Sequence, residues 1–320
     1  MNDIIKTIAS ERDLKKWRTA VYALGQPANR EKRFLLLELL FRKKQKVLLR
    51  AIQAVGMLGL RIAASRLAYL LRFGGPYVRL AAAIAMKTCA TEREMDELEE
   101  ALSDVIVEVG IESSMAIAHL GGYAGLMVLV KAADSEDQIV ALHGLYGIEE
   151  IKDPECKPHL LRLLEADRPG ELRTAAASAL AGMEPHSWIR QSIKCAMLEE
   201  EDDKFQLEFA TALMRMGEDL SWLVLPKLKS PDANTREAAA MAIGKCFSED
   251  AVAFLRELVK DPVADVRRAA WDSLATFYRA GKITELGKRE KFPVYAEMVK
   301  HLEFEDNHYS IVQVMDEKDV

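Results

Sequence analysis

One apolar pattern of helical spacing returns eight times, at intervals of about 31 residues, and a period of that length is the mark of stacked repeats. The segments begin at Leu49, Val78, Val109, Val140, Leu172, Phe205, Thr235 and Val266. Seven positions into each stands a small residue: Gly56, Ala85, Ala116, Gly147, Ala179, Ala212, Ala242 and Ser273. The next position is a medium aliphatic (Met57, Met86, Ile117, Ile148, Leu180, Leu213, Ile243, Leu274). Three further on the residue is apolar: Leu60, Cys89, Leu120, Ile151, Met183, Met216, Cys246 and Phe277. A single helix pair cannot bury its own apolar face, so such units stack and share one continuous core. The period therefore predicts an all-α fold, an α-solenoid coiled as a right-handed superhelix of about eight to nine helix pairs.

Each unit reads as helix, short turn, helix. The first helix is bulky, as in Phe34 to Leu40 or Phe254 to Val259, and the second is rich in alanine, as in Leu172 to Leu180. Small residues three and four apart let neighbouring backbones approach. A larger side chain in the invariant small column would push adjacent layers apart. The turns carry Gly74-Gly75-Pro76, Pro169-Gly170, Pro231 and Pro262, and the stretch 133–138 supplies an N-cap instead of a proline. Three regions follow: basic N-terminal capping helices over 1–45, the repeat array over 46–280, and a capping helix with an acidic tail over 281–320. Ala23-Leu24, after Trp17, falls in the small-aliphatic register and suggests a ninth, terminal unit.

These residues carry a family resemblance. Asp261-Pro262-Val263-Ala264-Asp265-Val266-Arg267-Arg268-Ala269-Ala270, and Asp167 with Leu172-Arg173 and Ala175-Ala176, resemble the HEAT repeat in the short form found in phycobilisome lyases. Arg50, Arg79 and Arg236 keep the arginine without an acid six residues earlier, whereas Gly110, Ala141 and Gln206 depart from the pattern. The resemblance covers roughly residues 15–280 and speaks to fold. It implies either a protein-binding scaffold or, through the lyase likeness, a bilin lyase or isomerase subunit. A second HEAT-repeat enzyme, deoxyhypusine hydroxylase, builds its metal centre from His-Glu pairs, and none of the six histidines here precedes a glutamate. HEAT-like DNA glycosylases use Trp and Asp on a basic surface. Here Trp17, Trp188, Trp222 and Trp271 belong to a chain of net charge -6.

Charge is uneven. Residues 1–90 hold 18 Lys+Arg against 5 Asp+Glu, and the remainder holds 26 against 45. Between Glu38 and Glu92 there is no acidic residue at all. Arg42, Lys43, Lys44 and Lys46, with Arg30, Lys32 and Arg33, form the candidate contact surface for an acidic protein partner. With no aromatic residue interleaving that cluster, single-stranded nucleic acid is disfavoured, and binding to nucleic acid or an anionic membrane is the weaker alternative. Arg50, Arg79, Arg173, Arg236 and Arg267 open the second helix of their units. With Asp167 and Asp261 they read as a structural ladder, bonding an aspartate or a carbonyl in the next layer.

Catalytic signatures are missing. There is no GxGxxG, P-loop, GxSxG or HExxH pattern, and the CxxH of Cys156 and His159 has no second pair with which to hold a metal. Acidic runs at Glu92–Glu100 and Glu199–Asp203 lack a calcium-loop glycine and read as turns and helix starts. No apolar run reaches the roughly 18 residues of a membrane span. The first residues lack a signal-peptide core, and the four cysteines show no paired spacing. The expectation is a cytoplasmic, non-enzymatic adaptor or regulatory subunit without cofactor, catalytic residue or metal.

Overall fold

A computed structural model describes residues 3–284 except 12, 184, 185, 246 and 248, and among these every regular element is helical. The expected α-solenoid is the fold. Cys246, and the capping helix expected near Pro293, lie outside the described residues. Two compact bodies divide the chain, one through Lys227 and one from Leu228.

The first body opens with α1 (Asp3–Ser10), α2 (Leu14–Gly25), α3 (Arg33–Leu39) and α4 (Gln45–Met57). It continues with α5 (Ala64–Phe73), α6 (Pro76–Cys89), α7 (Met95–Ala101), α8 (Val107–Leu120), α9 (Gly122–Ala133) and α10 (Gln138–Ile151). The last members are α11 (Lys157–Arg162), α12 (Gly170–Ala181), α13 (Ser187–Glu199), α14 (Asp203–Arg215) and α15 (Ser221–Lys227). The second body holds α16 (Ala233–Ile243), α17 (Glu249–Leu258) and α18 (Ala264–Arg279).

From α4 to α14 the even-numbered helices pack each on the next, and α16 packs on α18 in the second body. The odd-numbered helices α3 to α13 each pack against the even-numbered helix that follows, and in the second body α17 packs on α18. The small column makes the close approach possible. A Cβ on Gly56 would stand 3.0 Å from the Ala85 backbone, and Ala85, Ala116, Ala179, Ala212 and Ala242 are all buried. The aliphatic column beside it is buried at Met86, Ile117, Ile148, Leu180, Leu213, Ile243 and Leu274. Each such side chain removed from water contributes about 1.5–3 kcal/mol.

Helix starts follow side-chain chemistry. Asp13, Asp137, Asp202 and Asp232 each accept first-turn N–H groups that have no partner inside the helix. Thr91 and Glu94 close a reciprocal capping box ahead of α7. At the N-terminal end Trp17 is buried, donates Nε1–H to the Ile8 carbonyl at 3.2 Å, and lies beneath Arg50, whose Cζ is 5.2 Å from the ring centroid. Among the described residues no helix is long and apolar enough to cross a membrane.

Candidate interaction surfaces

The recurrent arginines are largely occupied by the scaffold. Arg79 places Nε 2.6 Å and Nη2 2.9 Å from Asp104 and donates Nη1–H to the Gly74 carbonyl. Arg236 repeats the fork on Asp261, at 2.8 and 3.0 Å, with Nη1 on the Ser230 and Pro231 carbonyls. Arg173 reaches Glu200 at 2.8 Å and the Leu164 carbonyl at 3.2 Å, while Arg267 holds the carbonyls of Asp261 and Pro262. In the three ion pairs the acid belongs to the turn of the following unit, six residues before that unit's own arginine position. Within-unit pairing of Asp167 with Arg173 does not occur. Asp167 is exposed and meets only Arg168, at 4.0 Å, because Ala141 stands where the preceding unit would offer an arginine.

Asp104 and Asp261 are held ionised. On Asp261 the hydrogen bonds from Arg236 lower the pKa against the opposing effect of burial, and the Val263 N–H adds to them. On Asp104 burial is the larger single influence and pushes upward, but Arg79 and the Ile106 N–H together outweigh it. Bidentate guanidinium–carboxylate geometry gives each pair direction as well as strength.

The basic cluster is less uniform than its sequence. Arg33 turns inward and caps the end of α2, donating to the Leu24 and Gly25 carbonyls, and Lys32 bonds Asn29. Arg30, Arg42, Lys43, Lys44 and Lys46 are exposed. Arg42, Lys43 and Lys44 occupy the turn between α3 and α4, and no described carboxylate is within ion-pair distance of them.

Beside that turn lies an aromatic stack that the sequence reading missed. Arg66 donates Nε–H and Nη2–H to the Leu40 carbonyl at 3.3 and 3.1 Å. Its Cζ sits 4.4 Å from the Phe41 centroid and 4.7 Å from that of Tyr69. Tyr69 and Phe73 follow with centroids 5.0 Å apart, and Arg72 lies 5.5 Å from the Phe73 ring. Phe41, Tyr69 and Phe73 are 66%, 52% and 64% exposed. The signal was in the sequence: Ile62, Arg66, Tyr69 and Phe73 recur at helical spacing on the side opposite the buried Leu67, Leu70 and Leu71.

The even-numbered helices carry a polar network of their own. Arg215 on α14 reaches Glu149 on α10 at 3.0 Å and Ser178 on α12 at 2.7 Å, while Ser178 donates to the same Glu149 oxygen. Thr174 donates to Glu208 at 2.6 Å. Burial, then Glu149 and Glu208, raise the phenol pKa of the neighbouring Tyr146.

Several members of the acidic runs serve the scaffold. Glu99 pairs with Lys131, Glu100 with Arg72, Glu200 with Arg173 and Asp203 with Lys227. No metal-holding cluster of His, Cys, Asp and Glu occurs among the described residues. Cys156 is buried, its thiol pushed up to about 11 chiefly by burial, which disfavours the thiolate that a metal would need. Cys89 behaves likewise, also at about 11. Trp17 and Trp271 are buried, whereas Trp188 and Trp222 are exposed.

A family profile described as HEAT repeats matches residues 95–181 and 223–289, a little under half of the chain. No curated protein matches. Among solved structures, an engineered protein is 20% identical, with 86% of this chain and 89% of that one covered and a TM-score of 0.33. Human deoxyhypusine hydroxylase in complex with glycerol is 16% identical over 80% of this chain and 99% of its own, with a TM-score of 0.37. The karyopherin Kap121p bound to Nup53p is 12% identical over 86% of this chain and 36% of its own, with a TM-score of 0.43.

Proposed function

We propose that this protein is a non-enzymatic scaffold, adaptor or regulatory subunit whose basic N-terminal third docks an acidic protein partner. Stacked helix pairs generate extended surfaces, and such folds are used for recognition. One contrast carries the reading. Arg79, Arg173 and Arg236 are each neutralised by a carboxylate of the next unit, yet Arg42, Lys43 and Lys44 stand exposed with no described carboxylate beside them. Charge left unpaired at one end of a chain steers an oppositely charged partner. The reading includes repeats of the short phycobilisome-lyase type, supported by the period and the Val-Arg and Ala-Ala columns. It also includes work in the cytoplasm, which the free thiols of Cys89, Cys156 and Cys195 support.

The test is affinity capture with wild type and with the triple variant K43E/K44E/K46E, at low and moderate salt. Wild type should recover an acidic partner that the variant loses, with recovery falling as salt rises. Equal recovery by both proteins overturns the electrostatic docking.

A further inference from the structure

We infer that the outward face of α5, with the turn between α3 and α4 beside it, is a seat for an acidic peptide segment that carries a bulky apolar side chain. This rests on the reading above and narrows it to one face and one ligand chemistry.

A surface helix ordinarily turns charged and polar residues to water. The outward side of α5 does not. Ile62, just before the helix, and Tyr69 and Phe73 within it are each more than half exposed, at the i, i+7 and i+11 positions of one face, with Arg66 at i+4. Phe41, in the turn after α3, joins them through Arg66. That guanidinium is fixed by two hydrogen bonds to the Leu40 carbonyl and is flanked by two rings, so Phe41 and Tyr69 are held in place before any ligand arrives. Rigid aromatic and arginine side chains are the residue types that anchor protein interfaces, because they give large contact area at little entropic cost.

Charge selects the ligand. Phe41 leads directly into Arg42, Lys43 and Lys44, and Arg61 is exposed next to Ile62. The positive character then stops. At the next covering helix, Arg72 is neutralised by Glu100 at 3.2 Å, and Glu99 pairs with Lys131. The free positive surface thus spans two helix widths, about 20 Å at ordinary helix spacing. Some six residues of extended peptide cover that distance. A single-stranded nucleic acid needs a basic groove that follows its backbone over several nucleotides. Here the free positive surface ends at the Arg72–Glu100 and Lys131–Glu99 pairs, too short for such a track, so an acidic peptide is the better match.

Selection of a phage-displayed library of random peptides, each about twelve residues long, on the intact protein tests this, with affinities then measured by fluorescence anisotropy. Enriched peptides should combine acidic residues with Leu, Phe or Trp, and Tyr69→Ser with Phe73→Ser should weaken them by at least about tenfold. Both substitutions lie on the exposed face, and an unchanged helical circular dichroism spectrum shows that the fold survives them. The inference is overturned if no peptide enriches, if the enriched peptides lack acidic residues, or if they bind the double variant as well as wild type. A partner lost by K43E/K44E/K46E but kept by the aromatic variant defeats this seat and leaves the broader docking function standing. A partner kept by both variants defeats both. An oligothymidylate of similar length, bound tightly and dependent on Tyr69 and Phe73, replaces the peptide with nucleic acid and also overturns the inference.

Discussion

Substituting Glu200 and Asp167 in turn separates two ways of pairing the same motif. If each turn acid served the arginine six residues after it, Asp167→Ala would strip Arg173 of its partner. In the structure Arg173 Nη1 lies 2.8 Å from Glu200 Oε2, with side chains 7% and 10% exposed, while Asp167 is 74% exposed. Removing one member of a buried pair costs about 3–5 kcal/mol, because the other charge stays desolvated. Arg173 keeps the Leu164 carbonyl as a partner when the acid is removed, so Glu200→Ala is expected near the lower end, about 3 kcal/mol. Asp167→Ala is expected to stay within about 0.5 kcal/mol, as exposed ion pairs do. Arg173→Ala should exceed Glu200→Ala, since it also uncovers the Leu164 and Ala196 carbonyls and removes the cation from above the Phe209 ring. The double-mutant cycle should return a coupling of about 2 kcal/mol. Urea unfolding followed by circular dichroism gives the global values. Amide exchange in α12 and α14 gives the local ones, because stacked units open locally. An Asp167→Ala variant as destabilised as Glu200→Ala, or a coupling below about 0.5 kcal/mol, refutes pairing between units.

Two further outcomes follow from the packing and the charges. Gly110→Ala brings a Cβ within 2.2 Å of the His143 ring and should cost about 1–3 kcal/mol in urea unfolding; combined with His143→Ala, the loss should be smaller than the sum of the two single losses. Acid should also weaken the fold. Asp104 and Asp261 have folded pKa values below their ordinary ones, so their stabilisation is complete above about pH 4 and is lost as pH falls through the lowered values. His159 is pushed down mainly by burial, against the pull of Asp134, so its contribution is present above about pH 6.5 and declines as pH falls below it. Melting temperature against pH should flatten just below about pH 6.5 in His159→Gln, and below about 4 in Asp104→Asn with Asp261→Asn.

Much of the fold was legible because packing leaves a residue-by-residue imprint. The close approach of α4 to α6 admits only small residues, and Gly56 and Ala85 record it. The ladder was only half legible. Arginine and acid were both visible, but sequence order makes the acid six residues upstream look like the partner, whereas stacking brings the next unit's turn nearer. The contact surface divided in the same way. Arg42, Lys43 and Lys44 announce themselves by charge, yet Arg33, nine residues before Arg42, is consumed by a helix end. Phe41, Tyr69 and Phe73 were hidden because an apolar residue on a helix reads as core until the opposite side is seen to be buried too.

The irregular units show why the ladder is a rule about neighbours. From the unit of Gly110 onward, six residues before the arginine position stand Asp104, Ser135, Asp167, Glu200, Ser230 and Asp261; the preceding unit's arginine position holds Arg79, Gly110, Ala141, Arg173, Gln206 and Arg236, in that order, while Arg50 lies outside this series because Phe73 stands at the corresponding place. An acid follows every arginine in this series, and a serine follows Gly110 and Gln206. Those serines keep the local duty of the acids, accepting the N–H of Asp137 and Asp232 at 3.2 Å, as Asp104 and Asp261 accept those of Ile106 and Val263. Where the arginine is gone the charge is superfluous, and only Asp167 retains it. Covering the end of the preceding helix remains necessary even then. At Gly110 the task passes to the next unit, whose His143 fills the space over the glycine and lies 2.7 Å, through Nδ1, from the Leu102 carbonyl. Gly110 and His143, which break the repeat when read separately, together restore what one arginine does elsewhere.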